Sequence, residues 1–385
     1  MSHEITRLTA GDYEELMDFI SLVFSMAHAP TDFRAFGPKM YEPTDASMAQ
    51  QYVLRENGRI RAAVGVFPMT YCIGDISLRV AGVGNVAVHK YHGGKGYMVD
   101  LMNAAVADMA NEGMDFSFLT GQRQRYQHFG YEPCGAACAV HFTPASVKHT
   151  AKRMGNSGYR LEEMAAQSAE VIGKAYAIHA AQFTHIERPR EKFVDALRTG
   201  MSVPYVIFDQ NGEVSGYFTR NGATIGEILV ADENAFADII HSVTANRPGE
   251  SATVFLPPHE PRKLAAAIRI CENYVLENAG NYRFFNFART VEAFLTLKAS
   301  YRSLPEGEMI IGSDLFGNHT ISIAGGSVAV ETTDRAPDVT LRGMDIYQFL
   351  FGAAPMDGFF EGNNQSQLAH AWFPAPLYFP FPDHV

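Results

Sequence analysis

The sequence predicts a mixed α/β (α+β) protein built as two tandem mixed-sheet domains followed by a smaller α/β domain. Three observations carry this. The chain has 385 residues, more than one hydrophobic core usually organises. Strand and helix patterns alternate from residue 4 to about 145, and again to about 288 without the glycine-rich loop that marks the first set. A last stretch opens on an amphipathic helix, TVEAFLTLKASY, and closes on an aromatic, proline-rich tail. The expected domains are therefore 1–145, 146–288 and 289–385.

In the first domain, EITRLT is a short strand, and YEELMDFISLVF places Leu16, Phe19, Ile20 and Phe24 at helical spacing. YVLREN and RIRAAVGVFPMTYCI, either side of Gly58, predict a hairpin. SLRVAGVGNVAV runs as a strand into HGGKG and then a long helix that Gly113 stops. DFSFLT is a buried strand, QRQRYQHF a short helix, and YEPCGAACAVHF a closing strand. The second domain reads as helix AAQSAEVIGKAYAIHAAQF, strands YVIFD, EVSGYFT and TIGEILV, helix AFADIIHSV, strand ATVFL and helix PRKLAAAIRI. The third has strands around MIIGSDLF, HTISIAGGS and VAVETT, a strand leading into a helix over DVTLRGMDIYQFLFG, and a last helix, QSQLAHAWF. Proline forbids regular structure in FPAPLYFPFPDHV, which should lie extended along another surface.

A formal net charge of −11 offers no basic face for phosphate neutralisation, so nucleic-acid binding is not expected; a cationic small-molecule partner fits better. Cys72, Cys134, Cys138 and Cys271 form no CxxC pair, and His89, His128 and His141 have no ligand spacing, so no metal site or disulfide framework is expected. The N-terminal segment is acidic where a signal peptide would be basic, and no apolar run reaches membrane-spanning length. The expectation is a cytoplasmic protein, neither secreted nor inserted.

HGGKG, residues 92–96, stands between a strand and a helix start. Backbone N–H groups there are unpaired, and the helix dipole favours an anion. Gly93, Gly94 and Gly96 allow close approach of a phosphate, and Lys95 adds a positive charge. Taken alone, the loop is equally a tight turn without a ligand.

VAVHKYHGGKGYM resembles the acetyl-CoA loop of the GNAT N-acetyltransferase superfamily. The resemblance implies that Val86, Ala87 and Val88 offer a backbone edge to the pantetheine arm. It implies that Gly93, Gly94, Lys95, Gly96, Tyr97 and Met98 form the pyrophosphate cradle. RYQHFGYEP resembles the superfamily segment with a tyrosine before a Phe-Gly-aromatic turn, which implies Tyr126 as general acid. A phenol suits that role, since it still holds its proton at neutral pH and can pass it to a departing thiolate.

The layout of two acetyltransferase-type domains and a sterol-carrier-protein-like domain resembles the enhanced-intracellular-survival (Eis) family of aminoglycoside acetyltransferase-like proteins. That family commonly has HRRRG where this chain has HGGKG, sharing His92. Its terminal segment threads back to the active site, which implies the Val385 carboxylate as base, with Asp383 and His384 as neighbours that could substitute. Phe24 falls where the family lines its acceptor pocket; core packing is its other reading. The resemblance implies acetyl transfer from acetyl-CoA to a primary amine, on a small molecule or a peptide lysine. It further implies a homo-oligomer, with a hexamer as the family's form. The rival reading is a non-catalytic acyl-CoA or small-ligand binding protein on the same fold; a third is lipid binding by the last domain.

Overall fold

The structure is a computed structural model that describes residues 4–27, 29–154, 158–353 and 365–385. The N-terminal region supplies β1 (Ile5–Arg7), β2 (Gln51–Glu56), β3 (Arg59–Ile73), β4 (Ile76–Val88), β5 (Phe116–Leu119), β6 (Glu132–Cys134) and β7 (Ala137–Phe142). The middle supplies β8 (Arg160–Glu163), β9 (Thr184–Ile186), β10 (Val203–Phe208), β11 (Val214–Asn221), β12 (Thr224–Val230), β13 (Ala252–Leu256), β14 (Asn273–Glu277) and β15 (Gly280–Phe284). The last region supplies β16 (Gly307–Ser313), β17 (Gly317–Ala324), β18 (Ser327–Thr332) and β19 (Val339–Leu341). The predicted hairpin at Gly58 and the long helix after the glycine loop, Tyr97–Asn111, are both present.

The first sheet has the order β1-β2-β3-β4-β5-β15-β6, with β9 added beside β3; the second has the order β8-β10-β11-β12-β13-β7-β14. Position for position the two match, down to a parallel pair at the centre, β4–β5 in one and β12–β13 in the other. The third sheet runs β18-β17-β16-β19.

The two large sheets exchange a strand. β7 leaves the N-terminal region to pair with β13 and β14, and β15 comes back to pair with β5 and β6. The single closing strand expected across residues 131–142 is therefore two strands in different sheets. The reason lies at Gly135, whose φ of 69° turns the chain; an added Cβ there would lie 2.8 Å from the Leu377 carbonyl oxygen. The tail passes directly over this turn, and Ala136 N–H donates to Leu377 O at 2.9 Å. The strands β14 and β15 were missed by pattern reading, because ENYVLENAGNYRFF mixes Asn and Gly into an apolar alternation.

The exchange has a consequence for truncation. A fragment ending at residue 145 retains β5 and β6 without the β15 between them, leaving two bare strand edges. Such a fragment is expected to show no cooperative melting by circular dichroism, whereas the full chain should unfold cooperatively.

The third sheet shares a core with the underside of the first. Helix Phe287–Tyr301 buries Val291, Phe294 and Leu295 in one cluster with Tyr71, Val80 and Phe116 of the first sheet, Met309 and Ile321 of the third, and Trp372. The tail continues that core through Leu377 and Phe379, with Phe379 stacked on Phe118 at 4.5 Å. As expected, it is extended apart from a short turn at Phe381–Asp383. No helix among the described residues is long and apolar enough to cross a membrane.

Candidate active site

The site is organised by β4. Its hydrogen bonding to β5 covers only Val80, Ala81 and Gly82, although β4 continues to Val88. Beyond Gly82 the two strands part, and residues Val83 to Val88 keep a free backbone edge on that side. The parting is accompanied by a bulge: β3 pairs Ala63 with Ala87 but Gly65 with Gly84, so β4 carries one extra residue there. Asn85 takes up the slack with φ of 40°. Its side chain is fixed by Gln51, which accepts from Nδ2 at 3.0 Å, and by Tyr41, whose hydroxyl donates to Oδ1 at 3.1 Å. Gly65 opposite is required, since a Cβ there would lie 2.2 Å from Asn85 Oδ1. A polar residue mid-strand gave no sequence signal for this bulge.

The loop after β4 turns on its glycines. Gly94 and Gly96 have φ of 80° and 82°, and a Cβ at either would meet nothing within 4 Å, so glycine is needed there for its conformation. Gly96 caps helix Tyr97–Asn111 without a side chain, and the first main-chain bond of that helix is Asp100 N–H to Gly96 O at 3.0 Å. The amides of Tyr97, Met98 and Val99 therefore stand at the positive end of the helix without an intrahelical acceptor. They face a cleft of about 620 Å³ whose lining includes Phe24, Val86, Val88, Gly93, Gly96 and Arg125. Ala87 points to the other face, into the cluster around Leu16 and Phe19.

Lys95 is held away from the cradle. Its ammonium lies 3.1 Å from Glu56, which also pairs with His92 at 2.7 Å. The positively charged side chain lining the cleft is instead Arg125, which sequence reading passed over. Phe24 lines this same cleft and packs edge-on against Phe33 at 4.8 Å.

Tyr126 and Val385 lie against opposite faces of β4. Tyr126 is buried in the cluster containing Ala81 and Val83, on the side of helix Tyr97–Asn111. Its ring occupies space that Gly121 leaves free, where a Cβ would come within 2.6 Å. Burial raises the Tyr126 phenol, and neighbouring Arg125 only partly opposes this. Val385 packs on the alternate residues: a Cβ on Gly82 would lie 2.6 Å from its side chain, and one on Gly84 would lie 2.9 Å from its terminal carbon. The chain end thus reaches the N-terminal sheet, where two glycines make room for it.

Val385 also lines a second cleft, of about 530 Å³, with Lys39, Gln50, Phe67, Glu187, Arg188 and Asp383. The two residues before it are committed elsewhere. Asp383 accepts from Arg188 Nε and Nη2 at 3.0 and 2.7 Å; burial raises its carboxyl, but Arg188 and Lys39 outweigh that and hold it below its ordinary value. His384 donates from Nε2 to Phe379 O at 3.2 Å, and burial depresses the ring to about 4, so it is neutral. The described residues contain no cluster of metal-ligating side chains.

Comparison with known proteins follows the same outline. Residues 4–134 match the family described as acetyltransferase (GNAT) domain, about a third of the chain. Among solved structures, the chain is similar to a GCN5-related N-acetyltransferase from Anabaena variabilis ATCC 29413, at 16% identity and a TM-score of 0.67, covering 98% of both chains. A GCN5-related N-acetyltransferase from Kribbella flavida is 17% identical, with a TM-score of 0.66, over 98% of this chain and 100% of that one. Eis1 from Mycobacterium abscessus is 13% identical, with a TM-score of 0.65, over 99% of this chain and 100% of that one. A search of curated proteins finds no match. At these identities the likeness is one of fold, and it extends from end to end.

Proposed function

We propose, for a chain whose residues 4–134 carry a GNAT acetyltransferase domain, that it moves an acetyl group from acetyl-CoA to a primary amine by direct attack. The observation that carries this reading is the chain end lying on β4 opposite Tyr126. A thioester threaded through the gap where β4 leaves β5 would meet a phenol on one face of the sheet and a carboxylate on the other.

The residues present fit the donor. The amides of Tyr97, Met98 and Val99, the loop glycines and Arg125 would hold the diphosphate, and the free edge of β4 from Val83 to Val88 would pair with the pantetheine amides. In the reaction the amine nitrogen attacks the thioester carbonyl, forming the C–N bond as the C–S bond breaks. The Tyr126 hydroxyl delivers its proton to the departing thiolate, and the ammonium proton passes to the Val385 carboxylate. Exchange with solvent then resets both groups. The product is an amide and free CoA thiol.

The cleft beside Val385 is the natural acceptor site. Among its charged groups, Arg188 and Lys39 are offset by Asp383 and Glu227, and Lys192 is paired with Glu42 at 2.8 Å, which leaves Glu187 and the terminal carboxylate to meet a cationic amine. The third domain serves as scaffold, sharing its core with the first sheet. Cytoplasmic residence and assembly into a homo-oligomer belong to the same reading. The second reading, a non-catalytic acyl-CoA binding protein, is favoured by one observation: Lys95 is engaged by Glu56 rather than offered to a phosphate.

Titration calorimetry with acetyl-CoA, paired with a thiol-release assay over polyamine and aminoglycoside acceptors, separates the two. Binding with acceptor-dependent thiol release is expected. Binding without release would favour the second reading, and no heat at millimolar acetyl-CoA would reject both.

A further inference from the structure

Arg188 stands where the first sheet, the second sheet and the tail meet. The preceding residue continues from β9, with Glu187 N–H donating to Thr70 O on β3 at 2.9 Å, so Arg188 follows directly on the first sheet. Its guanidinium crosses to the second sheet, donating from Nη1 and Nη2 to Glu227 on β12 at 2.9 and 2.7 Å. The same group holds Asp383 bidentately, as described above. Arg188 and Asp383 side chains are each only 2% exposed. Tyr217 on β11 completes the group by donating to Glu227 at 2.5 Å. Lys39 adds a bond to the Pro382 carbonyl at 2.6 Å.

One residue earlier, Phe381 lies over Gly226 of β12, where a Cβ would come within 2.7 Å of its ring. Parallel pairing of β12 with β13 covers only Thr224 and Ile225, so Gly226 marks the point where that pair opens. This is the counterpart, in the second sheet, of the opening after Gly82 in the first. The last turn of the tail therefore sits at the place in the second domain that the first domain presents as a ligand cleft.

We propose that the second domain acts as the receptor for the chain's own C-terminus, with Arg188, Glu227 and Asp383 as positioning residues that fix the Val385 carboxylate on β4. Buried ion groups are poor devices for stability alone, because desolvation offsets most of their attraction. What this one supplies is a single geometry for the tail. Val385 is two residues beyond Asp383, a tether that can span roughly 7 Å. Without the guanidinium the terminus could sweep that whole range, and a base displaced by about 1 Å already loses much of its effect. The catalytic part of this inference rests on Val385 being the base; the docking part does not.

The test uses the full chain and Asp383→Asn, which keeps the side chain's size and leaves Arg188 paired with Glu227. Hydrogen exchange followed by mass spectrometry should show peptides ending at Val385 exchanging about 100-fold faster in the variant, with helix Tyr97–Asn111 unchanged. Thiol release should fall at least about tenfold in kcat with KM for acetyl-CoA unchanged, and added formate should restore part of it by standing in for the displaced carboxylate. Glu227→Gln, which alters no tail residue, should reproduce the same local shift. Tail exchange equal to that of the parent overturns the proposal, as does faster exchange spread over the whole molecule. Faster tail exchange with kcat unchanged supports the docking and removes Val385 as base. A parent chain without turnover rejects acetyl transfer, while the exchange measurement still decides the docking.

Discussion

Appending a single glycine after Val385 is expected to lower kcat by about 100-fold while leaving the KM for acetyl-CoA unchanged. The added residue moves the terminal charge by up to about 3.5 Å from the position on β4 that Val385 holds against Gly82 and Gly84. Deleting Val385 should have a similar effect for the opposite reason. The new terminus would be His384, whose ring is held against Phe118 at 4.7 Å and whose Nε2–H is bonded to Phe379 O, so the carboxylate would be left short of β4. Since Asp383 remains clasped in both variants, melting temperatures should stay close to that of the parent. Steady-state kinetics on the two variants provides the check, and parental kcat in either would remove the terminus from the mechanism.

Tyr126→Phe is expected to reduce kcat by about 100-fold or more, the usual contribution of a positioned general acid, with little change in acetyl-CoA affinity by calorimetry. The sign of the pH dependence follows from the burial of the phenol. An acid works only while protonated, and burial raises Tyr126 above its ordinary value of about 10, so the parent should show no alkaline loss of kcat from this group between about pH 7 and 9. A parent profile that falls through that range with a tyrosine-like titration, or a phenylalanine variant of full activity, would assign the proton to another donor.

The features that could be read from the sequence are those whose causes are local. The turn into helix Tyr97–Asn111 was legible because glycine at left-handed φ and a helix start are written in adjacent residues 93–98. The tail was legible because proline and aromatic side chains together can only lie extended against a partner. Arg188 was not legible: RPR in a loop reads as solvated charge, and its partners lie 39 and 195 positions along the chain. The exchange of β7 and β15 was hidden for the same reason, since a strand's pattern states that it pairs but not with which sheet. Asn85 was hidden by its surroundings, being one polar residue in an apolar strand whose significance depends on Gly65, Gln51 and Tyr41 opposite. Lys95 shows the converse, a charge at the expected place whose partner, Glu56, comes from the end of another strand.

The strand exchange bears on how the molecule is made. β15 begins at Gly280, about 150 residues after β6 ends at Cys134. At bacterial-to-eukaryotic elongation rates the ribosome needs on the order of 10 s to deliver it. Throughout that interval the N-terminal region has emerged with an unfilled slot between β5 and β6, an invitation to any neighbouring strand. Synthesis should therefore favour late, concerted folding of both halves, and nascent chains stalled before residue 280 should be held by chaperones rather than released as a finished domain.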